Sequence, residues 1–240
     1  MNAKTRMKTS NITERLGNIY HPKLNQKLKN QLFEALRLLI DALDKANTAY
    51  VLYAGSLVGS WRHHDMVPWD DDIDITVNFS IWESIEQLQI PGHSLINATS
   101  RTTLYKFFNE NATKISGRPW KWPNIDLFFF IDNGTHIYDP VCKDLYVYER
   151  SDIFPVSQRP FGPLVIKAPR NTKKVLSQNY DVDVCKTGSY NHRFDKGNEY
   201  ITVVNCSHLH RFYPFVQRGD NSKTEKLFFN GKIVSQFSYI

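Results

Sequence analysis

The stretch Pro68-Trp69-Asp70-Asp71-Asp72-Ile73-Asp74-Ile75-Thr76-Val77 follows Ala54-Gly55-Ser56-Leu57-Val58-Gly59-Ser60 at about the length of a short helix. Asp72 and Asp74 are two residues apart, and their neighbours Ile73, Ile75 and Val77 are apolar. On a strand, both carboxylates therefore leave the same face. Crowded carboxylates repel unless a cation lies between them. Hard divalent ions such as Mg²⁺ or Mn²⁺ take oxygen ligands and complete their shell with water and substrate phosphate. An acidic run more often forms a solvated loop. Its surroundings argue against that reading here. Tyr50-Val51-Leu52-Tyr53-Ala54 reads as a short buried strand, and Gly55 ends it where a helix can start, with Ser56 as N-cap. A Gly-Ser turn at a helix N-terminus directs free backbone N–H groups at an anion. A calcium loop of the EF-hand type fails on the same residues, because Ile75 replaces the required Gly and Ile81 the closing Glu.

Working outward, Trp122-Pro123-Asn124-Ile125-Asp126-Leu127-Phe128-Phe129-Phe130-Ile131-Asp132 is an apolar run bounded by Pro and by Asn133-Gly134. It reads as a buried strand interrupted by Asp126. A lone charge in that setting is costly, so Asp126 is expected to be protonated, ion-paired or metal-bound. Beside the Asp72/Asp74 pair it would complete a three-carboxylate metal site.

These residues resemble the LicD and fukutin-related family of the nucleotidyltransferase superfamily. The likeness lies in Ala54 through Arg62, in Val67-Pro68-Trp69-Asp70-Asp71-Asp72-Ile73-Asp74 and in Ile125-Asp126-Leu127-Phe128. A weaker echo follows in Ile153-Phe154-Pro155, in Phe161 through Pro169 and in Leu176-Ser177-Gln178-Asn179-Tyr180. The resemblance covers about residues 30 to 195. It implies that Asp72, Asp74 and Asp126 are metal-binding and catalytic carboxylates, and that Gly55 and Ser56 form a phosphate-binding turn. It further implies transfer of a phosphorylated alcohol, phosphocholine or ribitol phosphate in type, from a CDP-linked donor to a hydroxyl of a glycan or glycoprotein. The chain is shorter than animal members that carry an amino-terminal anchor and stem, and it shows no Cys-rich metal insertion of the kind some of them have. A catalytically inactive nucleotide- or glycan-binding relative is the main alternative, although all three carboxylates are retained.

Arg62 is a candidate donor to phosphate oxygens, with a surface helix end as its competing reading. Trp69 and Trp122 are substrate-binding candidates. Together with Trp120 they could stack on cytosine or cage a choline headgroup, whereas each alone reads as a packing anchor. His63-His64-Asp65 reads as a polar turn, because adjacent histidines on a helix do not share a face. His192, Arg193 and Lys196 could reach donor phosphates, as could the knot at His208, His210 and Arg211, but both read more simply as solvated loops.

The 240 residues carry a net charge of +6, are 41% hydrophobic and 13% aromatic, and so form a folded chain rather than a disordered one. A basic balance suits an anionic donor and also nucleic acid, but Lys and Arg are dispersed, which leaves a nucleic-acid module as the lesser reading. No run is long and apolar enough to cross a membrane, and residues 1–10 do not resemble a signal sequence. Sequons at Asn11, Asn78, Asn97, Asn111, Asn133 and Asn205 exceed the roughly two expected by chance and point to the secretory lumen, Golgi in type, with the cytoplasm as alternative. Asn78 and Asn205 are poor acceptors by position. Cys142, Cys185 and Cys206 allow at most one internal bridge.

The expected fold class is α+β, a nucleotidyltransferase-like mixed sheet flanked by helices with a C-terminal embellishment. Residues 1–22 are expected as a flexible arm and 23–240 as a single domain. Within it, Lys23–Lys45 reads as the longest helix, and Ser80 opens another that closes at Pro91-Gly92. Strands are expected at Thr102–Phe108, Ile125–Ile131, Thr135–Tyr138 and Leu145–Tyr148, with a hairpin turn at Asn133-Gly134. Pro155–Pro169 reads as an extended loop over the site and Asn171–Tyr180 as a short helix. A last hairpin turns at Asn230-Gly231.

Overall fold

The computed structural model describes residues 12–99, 103–142, 144–219 and 223–239. Of the arm expected over 1–22, residues 1–11 lie outside the described residues, and the rest is packed rather than loose. Helix α1 (12–19) leads into Tyr20, which is fully buried and donates its hydroxyl to the carbonyls of Cys185 at 3.0 Å and Thr202 at 2.9 Å. Tyr20 ends the arm in the core because it offers a large apolar ring and a hydroxyl that finds acceptors there.

Helix α2 (Gln26–Lys45) starts three residues later than expected, because the side chain of Asn25 accepts the N–H of Leu28 and caps it. Leu32, Leu36, Leu39 and Leu43 bury its apolar stripe, while Arg37 pairs with Glu34 and Asp41 on the exposed face. Strand β1 (Tyr50–Leu52), helix α3 (Ala54–His63) and strand β2 (Ile73–Asn78) follow. Ile73, Ile75 and Val77 are fully buried. A 3₁₀ turn and the short helix α4 (Trp82–Glu86) replace the longer helix expected from Ser80, and only Ile85 is buried there. Strand β3 (His93–Asn97) was not anticipated. It is half-buried throughout, so its side chains show no alternation to read.

Next come β4 (Leu104–Asn109), the short β5 (Thr113–Lys114) and β6 (Lys121–Trp122), then β7 (Ile125–Asp132), β8 (His136–Tyr138) and β9 (Val147–Glu149). The central sheet runs β1-β2-β7-β4-β3, with β8 and β9 continuing from the end of β7. Strands β2 and β7 are parallel and their other neighbours antiparallel, giving the mixed sheet expected. The Asn133-Gly134 turn joins β7 to β8 as expected.

Helix α5 (Arg150–Ile153) precedes a second correction. Pro155–Pro169 is a hairpin of β10 (Ser157–Phe161) and β11 (Leu164–Ala168), not an extended loop. It packs beside β1, and its turn at Gly162 (φ 58°) lies so close to the Phe33 ring that a Cβ there would come within 2.4 Å of it. Only glycine fits that turn. Helix α6 (Thr172–Ser177) follows.

Strands β12 (Val184–Lys186) and β15 (Val203–Asn205) form a ribbon whose base is stapled by a Cys185–Cys206 disulfide, and the small hairpin β13 (Tyr190–Asn191) and β14 (Lys196–Gly197) projects between them. Cys142 is free and exposed. Strands β16 (Phe215–Arg218), β17 (Thr224–Phe229) and β18 (Lys232–Ser238) make an antiparallel sheet turning at Asn230-Gly231. Glu225 docks this sheet on the rest: it is buried and accepts from Arg159, Arg218 at 2.7 Å and His64 at 2.8 Å.

Candidate metal centre and cleft

The site forms where the chain leaves β1 for α3 and where β2 begins. Helix α3 starts at Ala54, with Tyr53 in the capping position, so Ser56 is not the N-cap expected. Ser56 lies in the first turn, and its Oγ accepts the N–H of Asp74 at 2.8 Å. In return, Oδ2 of Asp74 accepts the N–H of Gly55 at 3.1 Å. The free amide of the helix start thus meets a carboxylate, as the positive end of a helix favours. A Cβ on Gly55 would lie 2.9 Å from Oδ2 of Asp70 and 3.3 Å from Oδ2 of Asp74, so a side chain there would displace the acids. Ala54 holds a φ of 41°, a strained conformation at the turn itself.

Asp74 stands directly opposite Asp126 in the parallel β2/β7 register, and Asp72 precedes β2 by one residue. Asp72, Asp74 and Asp126 each offer an oxygen, and the three oxygens lie within 4.8 Å of one another. Burial, then the neighbouring acids Asp74, Asp70 and Asp126, raise the proton affinity of Asp72 well above the carboxylate range. Asp74 is pushed up to about 7 by burial and by Asp126 and Asp70. The cluster is short of positive charge.

Two cations relieve part of that deficit, and neither was singled out for it in the sequence. Lys106 lies opposite Asp126 in the antiparallel β4/β7 register and donates to both of its oxygens, at 2.5 and 2.7 Å. Asp126 is therefore ion-paired, one of the alternatives its sequence left open, while also facing the other two acids. Burial alone would lower the Lys106 pKa, but the charge of Asp126 and its hydrogen bonds raise it. His192 is no solvated loop residue. Its Nδ1 lies 2.8 Å from Asp71 and its Nε2 3.1 Å from Asp72. A carboxylate at each nitrogen favours the charged form of the ring. Burial would lower its pKa, yet the Asp71 hydrogen bond and the charge of Asp126 raise it. Asp70, Asp71, Asp72 and His192 form a second close group that shares Asp72 with the first.

Other expected site residues have different work. Arg62 is buried and donates from Nε to the carbonyl of Val182 at 2.8 Å and from Nη2 to those of Asp181 at 2.8 Å and Val184 at 2.6 Å. Those donors pin the 181–184 segment rather than reach for phosphate. Trp69 lines the cleft, but its indole N–H donates to Lys186 O at 2.8 Å and its ring packs edge-on to Tyr20. Trp122 donates to Asp71 O at 3.1 Å under the guanidinium of Arg193. Trp120 is buried beneath Arg118. All three tryptophans are buried packing anchors, the simpler of the two readings their sequence offers. His63 and His64 are buried against Pro214 O and Glu225 instead of making a polar turn. Among the late basic residues, Arg211 donates to Thr13 and His210 packs on Phe215.

The acids open into a cleft of about 420 Å³ walled by Gly55, Phe128, Tyr180, Tyr190 and His192. A buried, all-oxygen donor set beside a backbone N–H has the composition of a site for a hard divalent ion and a phosphate.

Residues 47–171 match the family profile described as LicD/FKTN/FKRP, nucleotidyltransferase domain. Over 167 residues the chain is 25% identical to Ribitol 5-phosphate transferase FKRP of Homo sapiens, covering 66% of this chain and 33% of that protein; the Mus musculus protein of the same name matches equally. An uncharacterized protein of Rickettsia typhi is 24% identical over 162 residues, covering 66% of this chain and 48% of its own length. The chain thus spans a third to a half of the length of these curated relatives. The solved structure of lincosamide antibiotic adenylyltransferase LnuA with lincomycin bound is similar at a TM-score of 0.41 and 13% identity, covering 67% of this chain and 90% of that one. The profile match takes in more than half of the chain and contains Gly55 and all three carboxylates, and on that match the chain belongs to the LicD/FKTN/FKRP nucleotidyltransferase-domain family.

Proposed function

We propose that this protein is a metal-dependent transferase that moves a phosphorylated alcohol, of phosphocholine or ribitol phosphate type, from a CDP-linked donor to a glycan hydroxyl. The observation that carries this reading is the mutual approach of Asp72, Asp74 and Asp126 to within 4.8 Å beside the Gly55 amide. Family membership and the relatives named ribitol 5-phosphate transferase support the reaction class. Mg²⁺ or Mn²⁺, when bound, would neutralise the donor diphosphate and polarise the phosphorus under attack.

The chain's own residues would then divide the work. Asp72, Asp74 and Asp126 hold the ion. The Gly55 N–H is taken by Asp74, and the rest of the first turn of α3 would face the phosphate. His192 holds Asp71 and Asp72 in place through its two ring nitrogens, and Lys106 orients Asp126. Because Lys106 occupies both oxygens of Asp126, Asp74 is the better acceptor for the proton of the attacking hydroxyl.

A lumenal, Golgi-type location belongs to the same reading. The Cys185–Cys206 disulfide suits an oxidising compartment, and the sequons at Asn111 and Asn133 are exposed, as is Asn205, against the expectation from its apolar run. Among the described residues, no helix is long and apolar enough to cross a membrane.

Incubation with Mg²⁺ and a panel of CDP-alcohols, following CMP release, tests the reaction. The expected result is release from one member of the panel, lost with chelator and in Asp72→Ala and Asp74→Ala. Release from none of them, with Mg²⁺ and CDP also failing to bind by calorimetry, contradicts it.

A further inference from the structure

The segment between β12 and β15 is held at both ends yet leaves large apolar side chains outside. The disulfide ties its base. Its hairpin is anchored by His192 on Asp71 and Asp72, by the Arg193 N–H on Asp71 at 3.3 Å, and by an ion pair of Asp195 with Arg118. Nevertheless Tyr200 is 83% exposed, Ile201 51% and Tyr190 39%. Apolar surface held in a fixed, exposed position beside a catalytic cleft marks a binding surface.

A second cleft of about 460 Å³ lies along this segment. It adjoins the carboxylate cleft, since Trp69, Asp70, Thr187, Gly188 and Tyr190 line both. Tyr190 and Tyr200 supply aromatic surface in it, and Asn191, Asn198 and Glu199 supply hydrogen-bonding groups. Lys23 and Lys196 are offset by Asp70, Asp71 and Glu199, so the lining carries no excess of positive charge. That balance disfavours nucleic acid and anionic lipid, both of which need a basic surface. The carboxylate and amides among the rings also disfavour a purely apolar protein partner. A saccharide fits both features, because a pyranose has an apolar C–H face for an aromatic ring and hydroxyl edges for amide and carboxylate groups.

We infer that this second cleft is a saccharide-binding site, with Tyr200 and Tyr190 as its stacking surface and Asn191, Asn198 and Glu199 as hydroxyl partners, and that it presents an uncharged acceptor sugar to the neighbouring acids. Its role as acceptor site rests on the transferase reading; its ability to bind sugar does not.

The labelled 240-residue protein on an array of neutral and acidic oligosaccharides, followed by saturation-transfer NMR on the best binder, tests the inference. Binding to uncharged oligosaccharides is expected. Tyr200→Ala should weaken it at least tenfold and Tyr200→Phe leave it within twofold, while Mg²⁺ and CDP titrate as in the wild type in both variants. A silent array, unchanged binding by Tyr200→Ala, or binding to phosphatidylserine vesicles in place of glycans overturns the saccharide assignment. Sugar binding without any Mg²⁺-CDP binding upholds the saccharide site and overturns the transferase reading alone.

Discussion

Asp74 and Asp126 are direct partners across the parallel β2/β7 register, so two buried carboxylates face each other where most sheets place apolar pairs. The arrangement is unfavourable to the fold on its own and is held by Gly55, Ser56 and Lys106 around it. Function at the expense of local stability is the general pattern of such sites.

The first prediction follows from that repulsion. Asp74→Asn and Asp72→Asn each remove one ionisable group from the cluster, and at position 74 Asn keeps an oxygen to accept the Gly55 amide. In chelator at pH 8, each variant should be more stable than the wild type, by about 1 kcal/mol or more, in thermal unfolding. Neither should gain stability from added Mg²⁺. Lower stability in chelator would show that the acids do not repel as described.

Gly55→Ala places a methyl group 2.9 Å from Asp70 Oδ2 and 3.3 Å from Asp74 Oδ2. The carboxylates must move, while the core beneath is untouched. CMP release should fall by about a hundredfold or more for an ångström-scale misplacement, with the melting temperature shifted by only a few degrees. Normal turnover in this variant would show that the close approach has no bearing on the chemistry.

Lys106→Met leaves Asp126 buried without its ion-pair partner. Breaking a buried pair in this way costs about 3–5 kcal/mol. Because an added divalent ion supplies positive charge at the same carboxylates, Mg²⁺ should raise the melting temperature more in the variant than in the wild type. Equal shifts in the two proteins would mean that Lys106 and the ion act at separate places.

Glu225 is held down at about 2 from its ordinary 4.5: burial opposes the charge, and the His64 hydrogen bond with Arg159 and Arg218 outweighs it. A depressed carboxylate stabilises the fold above its unfolded value and loses that contribution as pH falls from about 4.5 toward 2. The contribution is about 3 kcal/mol. Glu225→Gln should therefore flatten this part of the acid-unfolding curve, and at pH 7 it should be destabilised by several kcal/mol because the buried Arg159 and the half-buried Arg218 lose their partner. An unchanged acid transition would remove Glu225 from the account of how the C-terminal sheet docks.

The three acids were legible because both signals are local: period-two spacing around Asp72 and Asp74, and a charge interrupting the apolar run at Asp126. Lys106 and His192 were not, since each meets the acids only through the order of strands or through a contact 121 residues away in the chain. Arg62 shows its charge in the sequence but not the carbonyls of 181–184 that curl around it. Ser56 obeys the preference for a cap, yet the helix begins two residues earlier and the Ser56 hydroxyl accepts the N–H of Asp74 instead. The β10/β11 hairpin was hidden by its prolines, one of which, Pro160, pairs with Val165 within it.

Anomalous diffraction from a crystal soaked with Mn²⁺ and CDP tests the central claim most directly. The account predicts a peak about 2.1 Å from oxygens of Asp72, Asp74 and Asp126, with diphosphate oxygens completing the shell next to Gly55. A peak held by Asp70, Asp71 and His192 alone, or none near β2 and β7, would contradict it.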